Sequence, residues 1–532
     1  MWIVGVASAS SLYDGNDFVE VLTADNFDPV VFGGERASFV EFYASWCGHC
    51  QAFAPLWKQL ARSVADWADF VAVCAVDCAD SANTATCRAQ GISGYPTFKF
   101  FPKHARSVRD SIDYSGSTQS VSALAADVAD MLWNHHRPKL EPFRSLDIVG
   151  DPTGYANGSL EASEIKLALF VVESTRPTVA RQTALDLASF PEVGVYSASS
   201  THRLAAELNL TLFPALLLYD ADGAHANFRE PIFKSSVVVN RAVVRGVVKA
   251  YCCNTLLPSQ HDVDADEPGT DVTVAAESLP DQHVLHERDL LSALSYMLYN
   301  EVPLKQSIRG NDLLILKNFL ALLAKYHRFS HDVTALLGRL SRWLNTEYAE
   351  EGSVLHVDAW IRELHRLQEE LAYPIPQSTA WMSCRGSQPR YRGYPCSLWM
   401  TFHALTVQAY KIDGHKSTFS AFHVLGTIKG YVLRFFGCQE CGRNFARGSR
   451  NLESEATRPE ETVLWLWRSH NRANHFLGNT TTEDPHYPKR QFPPARLCAV
   501  CRRRDDASRF NETAVLQFLL RFYGSVTKDR TW

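Results

Sequence analysis

Three cysteine pairs spaced C-x-x-C are the residues best suited to chemistry in this chain: Cys47 with Cys50, Cys438 with Cys441, and Cys498 with Cys501. Two thiols at that spacing close and reopen a disulfide, so each pair can carry two electrons. The first lies in Trp46-Cys47-Gly48-His49-Cys50, after an apolar strand-like run. At a strand-to-helix junction the first sulfur meets unpaired backbone N–H groups, which favour the thiolate. Cys47 is therefore the expected nucleophile, His49 a further stabiliser of its thiolate, and Cys50 the resolving thiol. Pro96 is expected to follow a cis peptide bond and pack against these sulfurs. Glu41, in the strand feeding the motif, is the expected buried proton acceptor for Cys50.

The second pair stands among His- and Trp-bearing helical segments. Trp399 and His403 are four apart and share one helix face. Further on comes Trp467-Arg468-Ser469-His470-Asn471-Arg472-Ala473-Asn474. Singly, such residues are ordinary core and surface positions. Together they suit a planar heteroaromatic cofactor with a phosphate tail, neutralised by Arg392 and Lys489. Cys498-x-x-Cys501 could join Cys438 and Cys441 as a four-cysteine zinc site. The interval between the pairs far exceeds the roughly 15 to 20 residues of a zinc ribbon, so no metal is expected.

The elements that must position these groups change character along the chain. Residues 15–130 read as an α/β unit, with strands at 38–43, 70–76 and after Pro96, and a helix at 54–68. Residues 160–255 repeat the pattern with a strand at 165–172, a helix at 178–187 and a strand at 193–196. Phe213-Pro214-Ala215 echoes Tyr95-Pro96-Thr97, but no C-x-x-C stands at the matching junction, so this copy should be redox-silent. The acidic stretch 261–283 reads as a linker. Beyond it the apolar period becomes helical at 289–299, 313–326, 333–344 and 357–371. A second set follows at 398–411, 419–436, 462–477 and 513–523, enough for a bundle.

Composition bounds the rest. At 532 residues the chain is too long for one core. With 46% hydrophobic and 21% charged residues and a formal charge of -5, it has no electrostatic footprint for nucleic acid. No run of apolar residues is long enough to span a bilayer. Thirteen cysteines, with Cys78 and Cys87 and also Cys384 and Cys396 as loop-closing candidates, suit an oxidising compartment. Sequons at Asn157, Asn209, Asn479 and Asn511 agree with a secretory route. Ala7-Ser8-Ala9 ends the opening like a signal-peptide site, although a charged n-region is missing. Burial as a small apolar residue is expected for Cys74, and Cys252 and Cys253 have no evident role.

Val40-Glu41-Phe42-Tyr43-Ala44-Ser45-Trp46-Cys47-Gly48-His49-Cys50 resembles the active segment of a protein disulfide isomerase domain of the thioredoxin superfamily. Arg392-Gly393-Tyr394-Pro395-Cys396-Ser397-Leu398-Trp399-Met400-Thr401-Phe402-His403, the Cys438 pair, His470-Asn471 and Lys489-Arg490-Gln491-Phe492-Pro493-Pro494 resemble the Erv/ALR family of FAD-dependent sulfhydryl oxidases. The domain order is similar to that of the quiescin sulfhydryl oxidases. This implies a multidomain α/β plus all-α fold: a possible signal remnant at 1–14, a redox-active thioredoxin-like domain at 15–135 and a redox-silent one at 136–257. A linker at 258–283, a helical Erv-like domain without cofactor at 284–380 and an FAD-binding Erv/ALR domain at 381–526 complete it.

The resemblance further implies that FAD contacts Arg392, Trp399, His403, Glu440, Asn444, Trp467, His470, Asn471, Asn474, Lys489 and Phe492. Asn444 replaces the family's usual histidine and Phe492 its usual tryptophan, which puts those two individual contacts in doubt. Cys498 with Cys501 would be an auxiliary disulfide and Cys384 with Cys396 a structural one. The implied activity forms disulfides in secretory or extracellular proteins by relay from Cys47/Cys50 to Cys438/Cys441, with Cys438 as the sulfur attacked, to FAD and then dioxygen, giving hydrogen peroxide. Reduced secretory proteins or peptides are the expected substrates, the ER or Golgi lumen or the exterior the expected location, and a monomer the expected state. The alternative is a flavin-free isomerase-type exchange protein whose helices form an interaction module.

Overall fold

The computed structural model describes residues 11–135, 143, 165–174, 176–220, 231–251, 283–327, 330–376 and 378–528. Asn157, Cys252, Cys253, nearly all of the expected linker and most of the expected signal remnant lie outside the described residues.

The first unit is a five-stranded sheet of β1 (Glu20–Leu22), β2 (Ala37–Tyr43), β3 (Val71–Asp77), β4 (Thr97–Phe101) and β5 (Ile112–Asp113), in the order β1-β3-β2-β4-β5. The β2 and β3 strands pair in parallel, while β4 runs antiparallel to β2. Every residue of β2 and β3 is buried, because helices cover both faces of a central strand pair. Those helices are α1 (Phe27–Val31), α2 (Gly48–Ser63), α3 (Thr84–Ala89) and α4 (Val121–His135). The α2 helix begins at Gly48, six residues before the start that its apolar periodicity suggests. Its first turn carries the weak helix former Gly48 and the polar His49, which hide the start from a periodicity reading.

The second unit repeats the strand pattern with β6 (Leu167–Glu173), β7 (Val193–Ser199), β8 (Ala215–Asp220) and β9 (Phe233–Lys234), ordered β7-β6-β8-β9, with α5 (Thr178–Asp186), α6 (Arg203–Glu207) and α7 (Arg241–Tyr251). Both Tyr95-Pro96 and Phe213-Pro214 are cis, each just before the strand antiparallel to the central one. At the first turn of α5, where the other unit carries its dithiol, the Glu173 carboxylate accepts from the N–H groups of Val179 at 3.0 Å and Ala180 at 3.1 Å. A fixed carboxylate thus takes the donors that a thiolate would use. Asp186 joins the two units, accepting from Trp67 Nε1 at 2.8 Å and from Arg241 and Arg245.

The helical part begins with α8 (Glu287–Tyr296), which continues through one π turn (Met297–Glu301). A short hairpin of β10 (Ser307–Arg309) and β11 (Val354–His356) brackets α9 (Gly310–Tyr326) and α10 (His331–Glu347), and α11 (Val357–Glu370) follows. The chain then forms α12 (Gly393–Asp413), α13 (Ala421–Phe435), α14 (Gln439–Gly448), α15 (Leu452–Glu455), α16 (Glu461–Leu477) and α17 (Glu512–Phe522). One apolar core runs through both helical stretches, from Leu291, Phe319 and Trp360 to Leu398, Tyr431 and Trp465. Disulfides close Cys78 to Cys87, Cys384 to Cys396, Cys438 to Cys441 and Cys498 to Cys501. Among the described residues, no helix is long and apolar enough to cross a membrane.

Candidate functional site

Cys47 N-caps α2 and is buried with Cys50, and both are free thiols. Hydrogen bonding from the Cys50 thiol, supported by the Cys50 and His49 N–H groups, pulls the Cys47 thiol down against the burial that opposes it. Burial pushes Cys50 up. The structure thus separates a nucleophile from a resolving thiol that must shed its proton.

Glu41 lies fully buried beneath this pair and burial pushes its carboxyl up to about 8, with the Cys47 charge adding to the rise. Tyr13, on the segment preceding β1, donates to Glu41 Oε2. Periodicity carries no trace of that contact, because it crosses from an irregular segment to a central strand. Cys74 is buried in β3, and burial raises its thiol.

The Cys438 pair sits in a setting that differs from its sequence context. The helix before it ends at Phe435, and Cys438 itself N-caps α14. Arg443 and Arg447, exposed on this short helix, obscured it as an element. Cys438 is fully buried while Cys441 is half-buried, and the side chains around Cys438 belong to the first α/β unit.

The two dithiols face each other across one seam. Tyr95 N–H donates to Gly437 O at 2.8 Å, and Tyr95 and Cys438 form an isolated parallel bridge. Trp46 stacks on Phe436 with centroids 5.5 Å apart and donates from Nε1 to Tyr296 OH at 2.9 Å. Gln51 Nε2 donates to Arg390 O at 2.8 Å, and Asn300 Nδ2 to Thr84 Oγ1 at 2.9 Å. A Cβ on Gly94 would meet the Gln439 side chain at 2.2 to 2.6 Å, so this approach needs glycine. The ring nitrogen of His49 and the sulfurs of Cys438 and Cys441 lie within 4.8 Å of one another. Burial lowers the His49 imidazole, with Glu440 opposing the shift and Arg443 adding to it. The sequence offers Cys47 as the nucleophile and Cys438 as the sulfur it attacks; in this arrangement the seam buries both.

Behind the second dithiol the predicted cofactor residues divide into three groups. Trp399 stacks on His470 at 4.3 Å and 6°, and His403 Nε2 lies 3.0 Å from His470 Nδ1. Tyr523, which periodicity placed only as a helix end, stacks on His403 at 4.6 Å. Burial drives both imidazoles down, His470 to about 3, so they are neutral acceptors or donors at ordinary pH. His403 Nδ1 is buried without a hydrogen-bond partner.

The amide group holds a second segment. Asn471 accepts from Phe492 N–H and donates to Phe492 O, both at 2.8 Å, Trp467 Nε1 donates to the same carbonyl at 2.5 Å, and Asn474 Nδ2 donates to Arg490 O at 3.1 Å. These bonds fix the irregular segment that carries Lys489. Lys489 and Arg392 are two half-buried cations: burial lowers both and Arg392 lowers Lys489 further, while Asp484 opposes both shifts, with Glu483 also acting on Lys489 and Tyr487 and Asp289 on Arg392. Two cations drawn partly out of water suit an anionic group, which fits the diphosphate of FAD. The vacant imidazole nitrogen and the Trp399–His470 stack supply a hydrogen-bonding and aromatic wall for its ring system.

Glu440 and Asn444 are engaged by arginines of their own helix, α14. Glu440 pairs with Arg443 at 2.6 Å and Arg447 at 3.1 Å, and Arg447 also donates to Asn444 Oδ1. Phe492 turns its ring to Phe518 and Phe522 on α17.

Three family models match the chain. Residues 18–129 match the thioredoxin family model, residues 281–387 that of the flavin adenine dinucleotide (FAD)-dependent sulfhydryl oxidases, and residues 396–493 that of the Erv1 / Alr family. Sulfhydryl oxidase 1 of Gallus gallus is 33% identical over 530 residues, covering 96% of this chain and 68% of the relative. Sulfhydryl oxidase 1 of Homo sapiens is 32% identical over 537 residues, covering 98% and 69%. A solved sulfhydryl oxidase fragment of human QSOX1 is 34% identical, covers 47% of this chain and 100% of that chain, and aligns with a TM-score of 0.43. The chain thus spans about two thirds of the length of these two curated relatives.

Proposed function

The chain belongs to the sulfhydryl oxidase family and is an FAD-dependent thiol oxidase, and on that premise we propose the path its electrons take and the residues that carry them. The observation that carries this reading is the seam itself, where the Tyr95 loop is hydrogen-bonded to the turn before Cys438. Transfer begins with Cys47 and Cys50 reduced and Cys438–Cys441 oxidised.

A substrate dithiol first reduces the Cys47–Cys50 disulfide and becomes a disulfide itself. The Cys47 thiolate then attacks Cys438 Sγ; a Cys47–Cys438 bond forms as the Cys438–Cys441 bond breaks, and Cys441 leaves as a thiolate. Cys50 passes its proton toward Glu41 and attacks Cys47 Sγ, restoring Cys47–Cys50 and freeing Cys438. Two helix N-termini converge on these sulfurs and stabilise each thiolate in turn. Bound FAD supplies the two-electron acceptor and its reoxidation by dioxygen to hydrogen peroxide. Arg392 and Lys489 hold its diphosphate, Trp399, His403 and His470 line its ring system, and Trp467, Asn471 and Asn474 keep the Lys489 segment in place. Glu440, Asn444 and Phe492, which the family resemblance adds to the set, are engaged with Arg443, Arg447 and the α17 rings, so their part would be to brace the site.

Substrates are reduced proteins or peptides of the secretory route, where Cys78–Cys87 and Cys384–Cys396 persist as structural disulfides and Cys498–Cys501 as an auxiliary one. The protein acts as a monomer in the ER or Golgi lumen or outside the cell. The flavin-free exchange protein is disfavoured by the two flavin-oxidase family matches. The test is oxygen uptake with dithiothreitol in Cys47→Ser, Cys441→Ser and wild-type protein, with the flavin spectrum recorded for each. Loss of uptake with flavin retained is expected in both variants. Wild-type uptake by Cys441→Ser would overturn the path.

A further inference from the structure

The relay leaves one buried acid unused. Glu301 ends the π turn after α8 and is fully buried, in a helical region that carries none of the dithiols or cofactor residues. Its Oε1 accepts from Gly437 N–H at 3.0 Å. Gly437 O in turn accepts from Tyr95 N–H at 2.8 Å. One carboxylate thus orients the peptide that immediately precedes Cys438, and that peptide is the one bonded to the donor domain. The phenols of Tyr394 and Tyr431 also act on this carboxyl and, with the Gly437 N–H, pull it down against burial.

The groups acting on this carboxyl are the phenols of Tyr296 on its own helix, Tyr394 on α12, Tyr431 on α13 and Tyr95 of the cis-proline loop, together with the Cys47 thiol. Asp77 is the next acid, acting on Tyr95 and Tyr296, and burial pushes it up to about 6. Lys305, four residues on, pairs with Asp312 at 2.8 Å instead. A charged Glu301 would therefore meet a second negative charge whenever Cys47 ionises, in surroundings too dry to screen it.

We propose that Glu301 is a positioning residue for electron transfer between the two dithiols: its carboxyl oxygen holds the Gly437 turn in place, and only its protonated form tolerates the attacking thiolate. This rests on the relay described above. The exchange keeps its balance, since Cys47–Cys438 forms as Cys438–Cys441 breaks and the proton on Glu301 stays where it is. Burial outweighs the lowering by the Gly437 N–H and the Tyr394 and Tyr431 phenols and, with the Cys47 charge adding, pushes Glu301 up to about 8, so the protonated form prevails at neutral pH.

The experiment follows flavin bleaching by dithiothreitol in the full-length holoenzyme without oxygen, from about pH 6 to about pH 10. Wild-type transfer is expected to fall about tenfold per pH unit once the pH exceeds about 8. Glu301→Gln keeps an acceptor for Gly437 N–H, so it should hold the neutral rate within about twofold and lose the alkaline fall. Glu301→Leu removes the acceptor and should slow transfer about tenfold at every pH, with reduction of Cys47–Cys50 itself, read by thiol alkylation, unchanged. A Gln variant that keeps the alkaline fall, or a Leu variant at the wild-type rate, would overturn the proposal. Cys47→Ser separates the two failures: bleaching at the wild-type rate in that variant defeats the relay, whereas a silent Cys47→Ser beside an unaltered Glu301→Gln defeats only the role of Glu301.

Discussion

Cys47 and Cys438 occupy the same place in their elements: each N-caps the helix that follows, with φ of -77° and -76°. The two helices therefore present their N-terminal ends to one seam from opposite sides. A thiolate on either side gains from unpaired N–H groups, which is what alternating nucleophile and leaving group require.

Gly94 is the tightest point of that seam. Alanine there would place a Cβ within 2.6 Å of Gln439 Cδ and closer still to its Cγ and Nε2. Gly94→Ala should slow thiol-driven oxygen uptake about tenfold while leaving reduction of the C-G-H-C disulfide intact. Gln439→Ala, which opens the space, should restore the double variant to near wild type, and a double-mutant cycle measures the coupling.

The Trp46–Tyr296 hydrogen bond is a second contact between the units. Removing either partner, by Trp46→Phe or Tyr296→Phe, should weaken the seam by about 1 kcal/mol, a roughly fivefold loss in the docked fraction. The two losses should not add, since both delete the same bond. Stopped-flow flavin reduction reads the effect.

Glu41 predicts a pH dependence of stability with a definite sign. Its carboxyl rises on folding from the ordinary 4.5 to about 8, so the folded state binds the extra proton. The stability it contributes is fully present below about 4.5 and is lost as pH rises to about 8. Glu41→Gln should flatten the Tm profile across that window, and should slow turnover most near and above about pH 8, where the wild-type carboxylate can take the Cys50 proton.

Lys489 gives opposite signs with and without flavin. In flavin-free protein, Lys489→Met removes a half-buried cation lowered by burial and by Arg392, which outweigh Glu483 and Asp484, and should raise Tm. In the presence of FAD the same change should cut flavin affinity at least tenfold and shrink the FAD-dependent rise in Tm, since that rise follows ligand saturation. Thermal melts with and without added FAD check both halves.

How much of this could be read in advance varies with the range of the contacts. The C-G-H-C segment, the Pro96 turn and the helix carrying Trp467 to Asn474 show local spacing, and the structure places them in corresponding elements. The α14 helix did not show, because Arg443, Asn444 and Arg447 face solvent on a short element with little apolar periodicity. Tyr13 and Tyr523 were not foreseen as partners of Glu41 and His403, since neither contact follows from spacing.

The sequence by itself determined the chemistry: which thiols can exchange, which aromatic and amide residues suit FAD, and which strands and helices present them. Only the tertiary structure decided that the two dithiols share one buried seam, that Glu301 braces it, and that Arg392 and Lys489 form a cationic pair. The reason is sequence distance. Trp46 meets Tyr296 across 250 residues and Gln51 meets Arg390 across 339, so these contacts arise from packing of whole units and leave no periodic mark on the chain.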